Sequence, residues 1–239
     1  MEEKIASLID RLGHLDKKAA RQAADTLISL APKHPKLAQG LNRALNEAPQ
    51  ETRWPIAYVL AHISSPSTLC VEVLSETLGS GDPDLRWAAC ALLARLGKSN
   101  PAIVRKLLDL RAKGAPSQRR MAIYCLRSLE LKDAPSLKAL LSSLNDPDCL
   151  VRLAAVISLR SRPDLSQKGL DLLLDTFLGD SDPRVRYAAA LTLGELGAPT
   201  GAIRAALKEA SQSEDAYLKK AATAALGLLE KRKPAPSAK

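Results

Sequence analysis

Apolar residues recur along this chain three and four positions apart, the spacing that gathers them on one face of an α-helix, and the faces themselves repeat. A basic residue followed by small and apolar ones stands at Arg21, Arg53, Arg86, Arg119, Arg152, Arg186 and Lys219, at intervals of 32, 33, 33, 33, 34 and 33 residues. Three positions after this anchor come Ala24, Ile56, Ala89, Ala122, Ala155, Ala189 and Ala222; seven positions after it come Ile28, Leu60, Leu93, Leu126, Leu159, Leu193 and Leu226. At ten positions the stripe continues through Ala31, Ile63, Leu96, Leu129, Leu196 and Leu229 and breaks at Arg162, which Pro163 follows. The helix of the fifth copy is therefore expected to stop early. Ahead of each anchored helix lies a second amphipathic stretch, for example Ile5, Leu8, Ile9 and Leu12, or Leu170, Leu173, Leu174 and Phe177. The pattern predicts seven helical hairpins, fourteen helices and no sheet.

Turn chemistry agrees with this division. Asp82-Pro-Asp-Leu-Arg-Trp-Ala-Ala, Asp146-Pro-Asp-Cys-Leu-Val-Arg-Leu-Ala-Ala, Asp182-Pro-Arg-Val-Arg-Tyr-Ala-Ala and Asp215-Ala-Tyr-Leu-Lys-Lys-Ala-Ala each read as a turn that opens a helix. Most of the 15 prolines fall at such turns or at the joins between copies. Pro55 is the outlier, placed in the first turn of a helix beginning near Thr52, where its missing donor costs little. A period near 33 also suits tetratricopeptide and ankyrin arrays, but the Trp, Gly and Tyr landmarks of the former and the Thr-Pro-Leu-His of the latter are missing. The Asp-Pro-x-x-Arg-x-Ala-Ala core with leucine seven after the anchor resembles the HEAT-repeat family, in particular the short HEAT-like repeats of phycobilin lyases. The resemblance covers residues 2 to 230. It implies an all-α fold, an α-solenoid of about seven hairpins whose second helices line the concave side. Residues 1–230 are expected as one solenoid, and residues 231–239 as a basic disordered tail. The family hosts scaffolds, adaptors and a few enzymes, so the resemblance leaves activity open.

Composition narrows the class. Alanine occurs 38 times and valine 7 times, and aromatics make up 3% of the 239 residues, which disfavours an all-β fold. No apolar run reaches the 18 residues of a membrane-spanning helix, so no membrane partner is expected. The start, Met1-Glu-Glu-Lys-Ile-Ala, lacks the features of a secretory signal, and the expected location is cytoplasmic. Cys70, Cys90, Cys125 and Cys149 have neither CxxC nor zinc-type spacing and are expected as reduced thiols. The net charge is +9, of which residues 231–239 carry +4, leaving +5 on the body. That mild excess argues for weak, tail-dependent binding to nucleic acid.

The anchor arginines invite a phosphate-binding role or a structural one, in which Asp82, Asp182 and Asp215, four residues ahead, accept from helix amides and a nearby guanidinium. The face opposite the stripe is more informative. One position after the anchor stand Trp54, Trp87, Arg120 and Tyr187, and five positions after it stand Tyr58 and Tyr124. Five of the seven aromatics thus share two rows, either as partner anchors or as padding between copies. Arg127 and Arg160, eight after the anchor, with Arg95 and Lys220 extend a basic character across the middle and C-terminal part of this face. The only acid one, four, five or eight positions after an anchor is Asp25. A solvated charged face would look similar. Chemistry is sparse: none of His14, His34 and His62 precedes a glutamate, as the metal ligands of the related hydroxylase would, and no phosphate loop or Ser/His/Asp set is present. Cys90 is placed within reach of the groove and Cys125 toward the core. These residues point to a non-enzymatic monomeric scaffold with no cofactor, binding an acidic or extended protein segment through Trp54, Tyr58, Trp87, Arg120, Tyr124, Arg127, Arg160 and Tyr187. Two alternatives stand beside it: a nucleic-acid binder or glycosylase-like repair enzyme using Asp25, and a bilin-lyase-like chromophore chaperone.

Overall fold

The computed structural model describes residues 2–13, 16–64, 66–197 and 201–231. Among them lie fourteen α-helices, three short 3-10 turns and no strand. In chain order the helices are α1 Glu2–Leu12, α2 Lys17–Leu30, α3 Leu37–Glu47, α4 Arg53–Ile63, α5 Thr68–Thr77, α6 Pro83–Gly97 and α7 Pro101–Lys113. There follow α8 Pro116–Ser128, α9 Ala134–Ser142, α10 Cys149–Leu159, α11 Gln167–Gly179, α12 Pro183–Leu196, α13 Gly201–Ala210 and α14 Ala216–Lys231. They pair as seven hairpins, α1 with α2 through α13 with α14. The fold is all-α, of the solenoid class. The expected tail from Arg232 onward, and His14, lie outside the described residues.

The chain forms two compact units, Met1–Leu129 and Glu130–Lys239. In the first, the second helices α2, α4, α6 and α8 each touch the next; in the second, α10, α12 and α14 do the same. Every residue three after an anchor is buried. The row at seven is buried in the five central copies, while Ile28 and Leu226 at the two ends are only half-covered and Leu27 and Ala225 are buried there. An end helix lacks a neighbour on one side, so its buried stripe rotates toward the one it has.

Caps and stops follow the sequence. Asp82, Asn100 and Asp182 cap α6, α7 and α12 by accepting from backbone amides two residues on, and proline follows each as the first helical residue. Pro55 sits in the first turn of α4, as its position in the sequence requires. Helix α10 ends at Leu159, three residues before Arg162. The Arg162 side chain is buried and folds back, its Nε and one terminal nitrogen each 2.9 Å from Asp164 and the other terminal nitrogen donating to the Leu131 carbonyl. That charge is tolerated inside because its donors are satisfied.

Five of the six anchor arginines have a structural role. Arg53, Arg86, Arg119, Arg152 and Arg186 all donate to carbonyl oxygens of the turn just before their own helix, at 2.6 to 3.2 Å. In the C-terminal unit two of them also reach forward: Arg152 makes a bidentate pair with Asp180 at 2.7 and 2.8 Å, and Arg186 meets Asp215 at 3.1 Å. The expected carboxylate partner is thus the one in the following copy. Asp182 instead takes Arg184, two residues away. The row eight after the anchor also departs from expectation. Ala61, Ala94 and Gly194 are buried, because a second helix is flanked by second helices of adjacent copies. At Gly194 a Cβ would stand 2.8 Å from the Ala225 carbonyl oxygen, so α12 and α14 approach as closely as backbones allow.

Candidate functional site

The second helices of the N-terminal unit carry the aromatic rows. On α4, Trp54, Tyr58 and His62 follow one another at intervals of four and so lie along one face. The Trp54 and Tyr58 rings are 5.9 Å apart and tilted by 54°, and the Tyr58 and His62 rings are 4.4 Å apart at 48°. The Nδ1 of His62 is 2.8 Å from the Tyr58 carbonyl oxygen, so it donates there and orients the imidazole. Trp54 and Tyr58 are half-buried. On α6, Trp87 is 53% exposed, and its ring stacks on Tyr124 of α8 at 5.1 Å and 30°. The stack leaves more than half of Trp87 exposed, an arrangement suited to receiving a further flat or apolar group.

Tyr124 is bracketed on its own helix by Arg120 and Arg127. Burial pushes its phenol up, and the two guanidiniums pull the other way. Arg127 is exposed and Arg120 half-buried. The structure thus brings Trp54 next to Tyr58, and Trp87 next to Tyr124 with Arg120 and Arg127, all within one unit. Arg160 and Tyr187 belong to the C-terminal unit. There Arg160 is compensated: its Nε lies 3.0 Å from Glu195, an ion pair without hydrogen-bond geometry, with both side chains about a third exposed. Glu195 stands nine positions after its anchor, one beyond the row at eight. Tyr187 is half-buried on α12.

Charge follows the same division. Residues 1–129 hold 19 basic and 12 acidic residues, a net +7; residues 130–230 hold 12 and 14, a net −2. The net positive charge of the chain up to residue 230 is therefore concentrated in the N-terminal unit, most of all in residues 101–129 with seven basic residues and one acid.

Residues considered for catalysis are placed less favourably. Cys90, expected within reach of a ligand, is buried at 2% exposure, as are Cys70 and Cys125. Burial pushes the Cys70 thiol up to about 12, far from a thiolate nucleophile. Asp25 is exposed on α2. Among the described residues no cluster of three His, Cys, Asp or Glu side chains could hold a metal ion, and no helix is long and apolar enough to cross a membrane.

Sequence reasoning missed two surfaces. One is a polar cavity of about 380 Å³ at the C-terminal end of α4, lined in part by His62, Ser64, Arg95, Ser99 and Asn100. Its signal was the histidine four residues beyond Tyr58. The other, in the C-terminal unit, joins exposed Leu178 to a cavity of about 560 Å³ at the start of α14, near the 68% exposed Tyr217. Neither residue belongs to the rows that the repeat defines.

Comparison with known proteins locates the chain among repeat proteins. The profile of HEAT repeats matches residues 37–127 and 137–227. No curated protein matches the sequence. Among solved structures, YibA of Escherichia coli is 16% identical, with 95% of this chain and 92% of that chain covered and a TM-score of 0.50. Human deoxyhypusine hydroxylase in complex with glycerol is 17% identical over 97% of each chain, with a TM-score of 0.46. A designed armadillo repeat protein in complex with the peptide (KR)4 is 15% identical over 95% of this chain and 99% of that one, also at 0.46. Identities this low show a shared fold and nothing finer.

Proposed function

The chain belongs to the HEAT-repeat family, and from that premise we propose that it is a non-enzymatic binding protein whose N-terminal unit receives an extended acidic segment of a protein partner. The observation that carries this is the Trp87–Tyr124 stack: a tryptophan more than half exposed, held in place by a second ring, with Arg120 and Arg127 on the same helix as that ring. Rigid aromatic anchors beside arginine are the residues that supply most binding energy at protein interfaces. The net +7 of the unit selects for an acidic partner and speeds its encounter. Trp54 and Tyr58 extend the same chemistry along α4, and Arg160 and Tyr187 serve as a weaker outlying surface.

The two tryptophans of the chain, Trp54 and Trp87, both lie on this unit, so intrinsic fluorescence reads the face directly. The peptide acetyl-(Glu-Pro)6-amide is acidic and held extended by proline, and its rings suit aromatic surfaces. It should shift the fluorescence saturably where (Lys-Pro)6 does not, and Trp87→Ala should weaken it about thirtyfold, or about 2 kcal/mol. If instead single-stranded DNA binds tightly at physiological salt to a full chain with Lys231, Arg232, Lys233 and Lys239 changed to glutamine, with a steep salt dependence, the face serves nucleic acid and the protein-partner reading falls.

A further inference from the structure

The polar cavity at the end of α4 has no assigned use. Its lining includes Arg95 and His62 and no carboxylate. The Arg95 guanidinium donates through one terminal nitrogen to the Ala61 carbonyl, which fixes its position and leaves its other donors unspent. His62 has committed its Nδ1 proton to the Tyr58 carbonyl, so Nε2 of the neutral ring is an acceptor, suited to a water or hydroxyl at the wall. Ser64 and Ser99 add hydroxyls, and Asn100, the N-cap of the 13-residue α7, brings the positive end of that helix to the wall.

Position matters as much as composition. His62 is the last of three rings, Trp54, Tyr58 and His62, that follow α4 for two turns, about 11 Å. An extended chain rising about 3.1 Å per residue crosses that distance in three to four residues. A segment laid on the rings is thereby led to a cavity of cationic and hydrogen-bond-donating character.

We propose that this cavity is an anion subsite that takes one carboxylate side chain of the acidic protein segment bound along α4, with the Arg95 guanidinium holding the carboxylate. The proposal rests on the partner reading given above and adds a specific contact to it. The size suits a glutamyl side chain with accompanying water, and a guanidinium-carboxylate contact of fixed geometry is the kind that discriminates between otherwise similar segments.

The test titrates the full chain with (Glu-Pro)6 and with its uncharged counterpart (Gln-Pro)6, read by tryptophan fluorescence. Arg95→Gln should weaken (Glu-Pro)6 about tenfold and change (Gln-Pro)6 less than twofold, whereas Trp87→Ala should weaken both. Ser99→Glu, which places a carboxylate in the cavity, should act like Arg95→Gln. The Ser99 side chain is exposed and bonds only within its own turn, so this variant decides the matter if Arg95→Gln loses its helical circular dichroism. Parent-like binding of (Glu-Pro)6 by both cavity variants, with Trp87→Ala still weakened, overturns the subsite and leaves the aromatic face standing. If no variant changes either peptide, the face itself is wrong. Displacement of the peptide by inorganic phosphate at concentrations where acetate has no effect, lost in Arg95→Gln, reassigns the cavity to phosphate and overturns the carboxylate proposal.

Discussion

The two units use the same repeat for different ends. In the N-terminal unit, Arg53 and Arg86 donate to turn carbonyls, a tryptophan stands in solvent, and the net charge is +7. In the C-terminal unit, Arg152 and Arg186 add carboxylates of the following copy, Arg160 faces Glu195, and the net charge over residues 130–230 is −2. The shared positions hold the fold in both. What differs is the net charge and what the outward rows present: an exposed tryptophan in one unit, an arginine paired with a carboxylate in the other. An arginine is thus a strut at the anchor position and, one row over, a candidate contact, and residue type alone does not distinguish the two.

This contrast can be broken at its strongest point. Arg152→Ala leaves Asp180, whose side chain is 5% exposed, without its bidentate partner, and should cost about 3 kcal/mol. Arg86→Ala removes hydrogen bonds to neutral carbonyls and should cost about 1 kcal/mol. Hydrogen exchange in each unit of the full chain reads both, and equal losses would erase the distinction. Next comes Gly194→Ala, in which a methyl meets the Ala225 carbonyl oxygen. It should destabilise the C-terminal unit by about 2 kcal/mol, although Ala61 and Ala94 hold a methyl at the same position in the other unit.

Acid sharpens the comparison with a smaller effect. Arg162 draws the Asp164 carboxyl down to about 2, and Arg184 draws Asp182 well below the usual carboxylate range. A carboxyl made more acidic by folding contributes stability fully present above its unfolded value of about 3.9. That contribution is lost as pH falls through the folded value. Between about pH 4 and 2 the amides of residues 149–197 should therefore lose protection a few-fold, after correction for intrinsic exchange. The effect is small because Asp164 is half-exposed and its pairing is screened. Smallest of all is Arg160→Gln, which should alter (Glu-Pro)6 affinity less than twofold because Glu195 already neutralises that cation.

The hairpins, their N-caps, the position of Pro55 and the early end of α10 were legible in the sequence because each depends on neighbours within a turn or two. The rows facing away from the stripe were not, for a geometric reason. A second helix touches its own first helix and the second helices of adjacent copies, so its buried arc is wider than one stripe and takes in Ala61, Ala94, Cys90 and Gly194. The aromatic rows were visible, yet the partners of the arginines were not. Glu195 and Asp180 lie 35 and 28 residues from the arginines they meet, distances that only the stacking of copies closes. The cavity at Arg95 likewise joins α4, α6 and the start of α7, which no local pattern announces.

The forward pairing of arginine with the next copy has a consequence for lineage. Arg152 meets a carboxylate 28 residues downstream and Arg186 one 29 residues downstream, so the bond is written in the phase of the repeat and has a direction. Excision of residues 153–186, one whole period of 34, would bring Asp215 to position 181, 29 after Arg152, the offset Arg186 has now. Such an array can lengthen or shorten by whole copies and keep its internal bonds, whereas loss of half a copy between an arginine and its carboxylate would take the pair out of reach. Growth by whole copies is thereby the change that costs these bonds least, and the spacing varies only by a residue or two from copy to copy.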